Sequence, residues 1–392
     1  MRRMLSRMLL VVGTLGAVTV AGACGQPGVT NTSGHGLRWQ RVSASSGPHP
    51  SWSRGIPDSI WYNRCARRVE WFVKYTQSGS TLFYWSGSQW HPTRLSPAFE
   101  QGDTNGVAAW NSDTCTVVGI GQTGYLSAKS RPGQMLRPTW SWDGRSWKVV
   151  SATSPIVPFG PGLDGRMVYD PATRSFLLWG QNCCSSEKQW PVPEGSSAQI
   201  VRQINHMNKQ GSMFPSEAHI PATVTTWTFN GKTWTEEHPT VSPGLFEASL
   251  ATYDPASRSV MMLARWTRPP SGSSIMSKQV NETWLWNGVT WIMVHPQTVP
   301  RVDMATSAMT YDPLLKGVVL YDTQSHTTWL WTGNDWERLR TTNKVSPEIR
   351  DEPSMVFDTS TSQLILAGGL TMPGTKVTHW ASGTWVLMGS PH

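Results

Sequence analysis

Short apolar runs bounded by polar turns recur along the chain, and they come in two alternating kinds. The first kind pairs an aromatic and a turn with a hydrophobic stretch: MVYDPATRSFLLWG (167–180), ATYDPASRSVMMLA (251–264), MTYDPLLKGVVLYD (309–322) and MVFDTSTSQLILAGG (355–369), with degenerate versions IWYNRCARRVEWFV (60–73) and AAWNSDTCTVVGIG (108–121). In the first three, Asp is placed to bond turn amides and Pro suits a fixed φ, so a tight hairpin is predicted. The stretch that follows is apolar on both faces and too short for a helix, which reads as a buried strand.

The second kind is a Trp-turn-Trp segment. TWSWDGRSW (139–147), TWTFNGKTW (226–234), TWLWNGVTW (283–291) and TWLWTGNDW (328–336) are clear copies; LFYWSGSQW (82–90) and THWASGTW (378–385) are weaker ones. The aromatics alternate with period two, and Asn-Gly or Asp-Gly supplies the positive φ of a two-residue turn, so two more strands are predicted. Anchored on Tyr62, Trp110, Tyr169, Tyr253, Tyr311 and Phe357, the chain holds six units of four antiparallel strands. A single such sheet leaves both faces open, whereas radial packing of six covers them. The expected fold is all-β, a six-bladed β-propeller over residues 37–392, with Trp39 in LRWQRV (37–42) on a closing or capping strand.

An apolar strand ending in Gly-Gly (Gly368-Gly369, reduced to one Gly at Gly180 and Gly121), followed by an aromatic and a Trp at fixed distance, resembles the kelch-repeat propellers of the galactose-oxidase central-domain type. The resemblance covers roughly residues 55–388. It implies the propeller fold and leaves function open, since such propellers serve as binding scaffolds and as enzymes. Of the enzyme readings, DGRSW (143–147) departs from the sialidase Asp-box because its Asp and Gly are adjacent. A copper-radical site is disfavoured because Cys65, although near Tyr62, falls in a turn on the plain face.

In a blade, the first-to-second and third-to-fourth turns share one face, and the remaining connections share the other. The former are all tight here; the long connections, 122–138, 181–223 and 265–281, fall opposite. One face is thus plain and the other elaborated. The 181–223 insertion, with Ile200, Val201 and Ile204 near helical spacing after Ser196-Ser197, is expected to carry a short amphipathic helix. Asp58, Asp103, Asp164, Glu247, Asp303, Asp351 and Glu352 stand shortly before or at the start of their units' first strands, so they form a candidate ring of ligand-binding carboxylates at the channel mouth. Most of the 23 tryptophans are expected between blades; Trp190 and Trp266, on loops, are candidates for ligand stacking.

The N-terminus is of another kind. Arg2, Arg3 and Arg7 precede an apolar stretch ending in Ala21-Gly22-Ala23 before Cys24, which resembles a signal peptide (1–23) with a lipobox. That resemblance implies a diacylated Cys24, a tether over 24–36 and a domain held at the extracytoplasmic face of a bacterial membrane by lipid alone. Ordinary secretory cleavage after Ala23 fits the same letters.

Charge is mild: 33 basic and 25 acidic residues, and loss of the three arginines with residues 1–23 leaves +5. With no basic cluster interleaved with aromatics, nucleic acid is not an expected partner. Four cysteines remain after Cys24. Cys65 and Cys115 occupy equivalent turns of neighbouring units, so a disulfide between them is expected; Cys183 and Cys184 are adjacent and could pair with each other or elsewhere. His206 and His219 complete no zinc-type spacing, so no metal or other cofactor is expected. The reading is a monomeric, non-catalytic binding module for an envelope protein or glycan. The alternative is a carbohydrate-active hydrolase or lyase using a pair of the mouth carboxylates.

Overall fold

The structure, a computed structural model, describes residues 36–43, 59–75, 79–93, 103–122, 139–151, 166–181, 224–244, 248–268, 278–342, 345–371, 379–381 and 383–389. Six four-stranded antiparallel sheets form the blades of a propeller. From the inside outward, blade 1 is Ser59–Asn63, Arg68–Tyr75, Gly79–Trp85 and Trp90–Thr93. Blade 2 is Asp103–Asn111, Thr116–Gln122, Thr139–Trp142 and Trp147–Ser151, and blade 3 is Arg166–Asp170, Ser175–Gln181, Val224–Phe229 and Trp234–Glu237. Blades 4 and 5 continue the pattern with Ala248–Asp254, Ser259–Arg268, Lys278–Trp286 and Trp291–Val294, then Ser307–Asp312, Gly317–Asp322, Thr327–Trp331 and Trp336–Leu339.

Blade 6 is built from both ends of the chain. Its three inner strands are Ser354–Asp358, Gln363–Ala367 and Thr384–Met388, and Arg38–Ser43 supplies the outermost one, with Trp39 opposite Leu387. Trp39 is therefore the closing strand's core residue, 2% exposed. This corrects the reading of THWASGTW as a Trp-turn-Trp copy. His379–Trp380 belongs instead to a small side sheet with Leu370–Thr371 and Arg350–Asp351, and Trp385 sits inside the third strand. The turn that would lead to a fourth strand is replaced by the N-terminal segment.

The first-turn chemistry is as the letters dictate. Asp170, Asp254, Asp312 and Asp358 are buried, and each carboxylate accepts the amide two residues on, at 2.8 to 3.0 Å. Asn63 and Asn111 do the same in blades 1 and 2. The residue that closes each turn, among them Arg67, Arg174, Arg258 and Lys316, is left-handed, with φ of 51° to 56°.

Runs that are apolar on both faces follow from blade stacking. In Gly317–Asp322, Val318 and Leu320 face blade 4 while Val319 and Tyr321 face blade 6. The core is consequently six separate apolar layers, one per seam between blades. At five seams a Trp in the first two residues of an outermost strand donates its indole N–H to a buried Thr of the preceding blade's third strand. The pairs are Trp234–Thr139, Trp291–Thr226, Trp336–Thr283, Trp39–Thr328 and Trp90–Thr384, at 2.7 to 3.3 Å. At the seam between blades 1 and 2 the equivalent position is Leu82. That seam carries the expected Cys65–Cys115 disulfide.

Candidate functional site

Because first and third strands run the same way in every blade, the Asp-Pro and Asn-Gly turns lie on one face. A Cβ on Gly288, in a third-to-fourth turn of blade 4, would meet Thr173 of a first-to-second turn of blade 3 at 2.8 Å. The opposite face holds the channel mouth. Both ends of its long connection at 265–281 extend the hairpin, since pairing continues from Ala264–Glu282 out to Arg268–Lys278. Trp266 accordingly lies within a strand opposite Val280 rather than on a loop. The insertion 182–223, with its expected helix, Cys183, Cys184, Trp190, His206 and His219, lies outside the described residues, as does Cys24.

Of the seven acids proposed for the ring, Asp58, Asp164 and Glu247 lie outside the described residues, and Asp103 begins the innermost strand of blade 2. Asp303 is the best defined. It caps the short 3-10 turn Met304–Thr306, its Oδ1 accepting the Ala305 amide at 3.0 Å and Arg265 Nη1 at 3.0 Å. Asp351 pairs with Leu370 in the side sheet, and Glu352, exposed with φ 54°, donates its amide to the Ala305 carbonyl. The structure thus brings Asp303 and Asp351-Glu352 to one sector, spanning blades 4 to 6.

That sector is cross-linked by residues outside the predicted ring. Thr306 Oγ1 donates to Asp322 Oδ1, and Thr323 Oγ1 donates to the carbonyl of Thr306 and bonds both backbone groups of Arg350. Asp322 also fixes its own turn through the amides of Gln324 and Ser325. The segments leading into blades 5 and 6 are therefore tied to one turn. Beneath them Arg350 is fully buried, donating to the carbonyls of Gly368 and Gly383 and to Glu348, which also accepts the Trp385 indole. Burial pulls the Arg350 guanidinium below its ordinary value, and Glu348 opposes that shift. Gly369, at φ +84°, has the Asp351 carbonyl 2.7 Å from where a Cβ would stand, so the Gly-Gly step is required for this packing. Arg350 was legible only as a neighbour of Asp351; beside Glu348, its carbonyl partners Gly368 and Gly383 come from later segments of blade 6.

On the plain face, Tyr169 donates to Asp113 Oδ2 across the seam between blades 2 and 3, and burial first, then that carboxylate, pushes the phenol up. Asp143 accepts the Arg145 and Ser146 amides and pairs with Lys148; the Ser146 amide and then Lys148 hold its carboxyl well down. Among the described residues no three His, Cys, Asp or Glu gather as a metal site.

No family model matches the chain, and no curated protein does. Solved structures do. The structure of YjhT is 12% identical with a TM-score of 0.52, covering 88% of this chain and 97% of that one. A Hadza microbial sialidase, Hz136, is 12% identical with a TM-score of 0.50, covering 85% of this chain and 65% of that one. The GH93 α-L-arabinofuranosidase of Fusarium graminearum, solved with arabinobiose, is 10% identical with a TM-score of 0.50, covering 89% and 97%. At such identities the likeness is one of fold, the six-bladed propeller, and does not single out the kelch type.

Proposed function

We propose that the chain is an exported, lipid-anchored, non-catalytic module that binds a glycan at the elaborated face. The observation that carries this reading is the state of Asp303. Hydrolysis of a glycosidic bond needs two carboxylates available to proton or nucleophile at a set separation. Asp303 has one oxygen shared between a backbone amide and Arg265, which fixes its orientation at the mouth, and no second carboxylate is described at a set distance from it. A fixed ion pair at the rim of a rigid sector suits hydrogen bonding to sugar hydroxyls. Two of the structural neighbours, a sialidase and an arabinofuranosidase, support a carbohydrate ligand. Anchoring rests on the Arg2 to Cys24 pattern, and export is further supported by the Cys65–Cys115 disulfide.

A glycan array with the full chain, beside Asp303→Ala, tests the proposal. The expected result is retention of a defined set of glycans by the wild type, weakened at least tenfold in the variant, with no release of product from those glycans. Turnover that disappears in Asp303→Ala would instead make the chain a hydrolase.

A further inference from the structure

Each blade turns a cross-strand row of side chains toward the next blade, one from each strand at directly opposite positions. In blades 2 to 6 the second-strand member of that row is a buried apolar side chain: Val118, Leu177, Met261, Val319 or Ile365. In blade 1 it is Glu70, 4% exposed, and the row reads Trp61, Glu70, Tyr84, His91.

The Glu70 carboxylate is fully engaged. Its Oε1 accepts Arg68 Nε at 2.9 Å and lies 2.9 Å from Arg68 Nη2; its Oε2 accepts the Trp61 indole at 3.2 Å and the Asn63 side-chain amide at 2.9 Å. Arg68 lies over the Tyr84 ring, its Cζ 4.6 Å from the centroid, and His91 stacks on the same ring at 5.1 Å. Packing alone does not select such a network. A buried ion pair is costly to desolvate, and apolar side chains in its place stabilise as well or better, which is the solution of the other five blades. Departures of this kind from core packing mark functional sites, with the loss made good elsewhere. Here the described apolar layer is reduced to Trp61, Leu82, Val117 and Trp142, and Cys65–Cys115 ties the same seam.

What the network achieves is a fixed guanidinium. Glu70 holds its Nε–Nη2 side and Tyr84 supports its plane, which leaves the Nη1–Nη2 edge. Among the described residues no other group accepts from Arg68, whose side chain is 35% exposed. Two parallel N–H groups on a rigid edge match the two oxygens of a carboxylate. The local charge favours an anion: the turn NRCARR (63–68) carries Arg64, Arg67 and Arg68. Against these three stand Glu70 and, on the facing turn of blade 2, Asp113, which accepts the Tyr169 hydroxyl.

We propose that this row is a second ligand site, separate from the channel mouth, which takes an acidic sugar by its carboxylate on the open edge of Arg68. The sugar rests on the proposed glycan-binding function; the carboxylate rests on Arg68.

The test measures binding of an oligogalacturonide, and of the same oligosaccharide with its carboxyls reduced to alcohols, to the full chain. The acidic form should bind at least tenfold more tightly. Arg68→Ser with Glu70→Leu gives blade 1 the residues that blade 3 carries at Ser175 and Leu177, and should lose at least tenfold in affinity with cooperative unfolding retained. Arg68→Lys keeps the charge and the ion pair but not the fork, and should weaken binding several-fold; it decides the matter if the double variant does not fold. Equal binding of the two sugars, or unchanged binding in the Arg68 variants, overturns the inference. So does equal binding of a polyglutamate peptide, which would make the partner a protein. Asp303→Ala reads the mouth separately. Oligogalacturonide binding lost there and kept in the Arg68 variants overturns this site alone, whereas Arg68-dependent binding with no Asp303-dependent glycan on the array removes the mouth and keeps this site.

Discussion

The seam between blades 1 and 2 and the seam between blades 4 and 5 solve the same packing problem by different means. Between blades 4 and 5, nine buried side chains form the apolar layer and Trp336 donates to Thr283. Between blades 1 and 2, the described layer has four, Trp61, Leu82, Val117 and Trp142; Leu82 takes the place of the Thr, and the two blades are joined by Cys65–Cys115, a Trp61–Trp110 stack and a bond from Arg64 to the Asp113 carbonyl. A covalent staple thus stands at the seam where, among the described residues, Leu82 replaces the acceptor Thr. A closed ring is limited by its weakest seam, so the staple protects every blade.

The sharpest way to break that contrast is to remove the staple. Cys65→Ser with Cys115→Ser opens a loop with a sequence separation of 50, and the expected loss is about 2–4 kcal/mol. Urea unfolding should show it, with hydrogen exchange rising first in blades 1 and 2. Next in size is Thr283→Val, which leaves the Trp336 indole buried without its acceptor and should cost about 1–3 kcal/mol. Exchange should then rise at blades 4 and 5, and the disulfide should remain formed under mild reductant. The smallest effect sharpens the comparison through a difference. Gly288→Ala and Gly144→Ala both place Ala at positive φ, but only Gly288 faces Thr173 across a seam. Both should cost about 1 kcal/mol for the backbone, with Gly288→Ala shifting the melting temperature further by the cross-seam clash.

What the sequence disclosed follows the same division between local and distant partners. The Asp-Pro hairpins were legible because the Asp170 carboxylate and the Ala172 amide it accepts are two residues apart. The disulfide was legible because equivalent positions of neighbouring repeats must be adjacent in a ring. The Thr of each Thr-Trp motif was in plain view, yet its role was not, because its donor belongs to the next blade. Leu82, the one exception, was the available signal. Blade 6 was misread at Trp380 because its fourth strand comes from the other end of the chain. Asp303 was found as an acid near a strand, but Arg265, which defines what it can do, lies on another blade.

The closing strand has a consequence in time. Arg38–Ser43 is the first described strand to be synthesised, yet its partner, Thr384–Met388, is the last. Until that partner arrives the strand has no ladder to join, and Trp39 has neither its Thr328 acceptor nor its apolar layer. Bringing the two ends together requires closing a loop of nearly the whole domain, an entropic cost that is met late. An incomplete chain is therefore an open arc with a naked sheet edge, vulnerable to proteases and to pairing with another chain. Completion of the chain and locking of the ring become the same event.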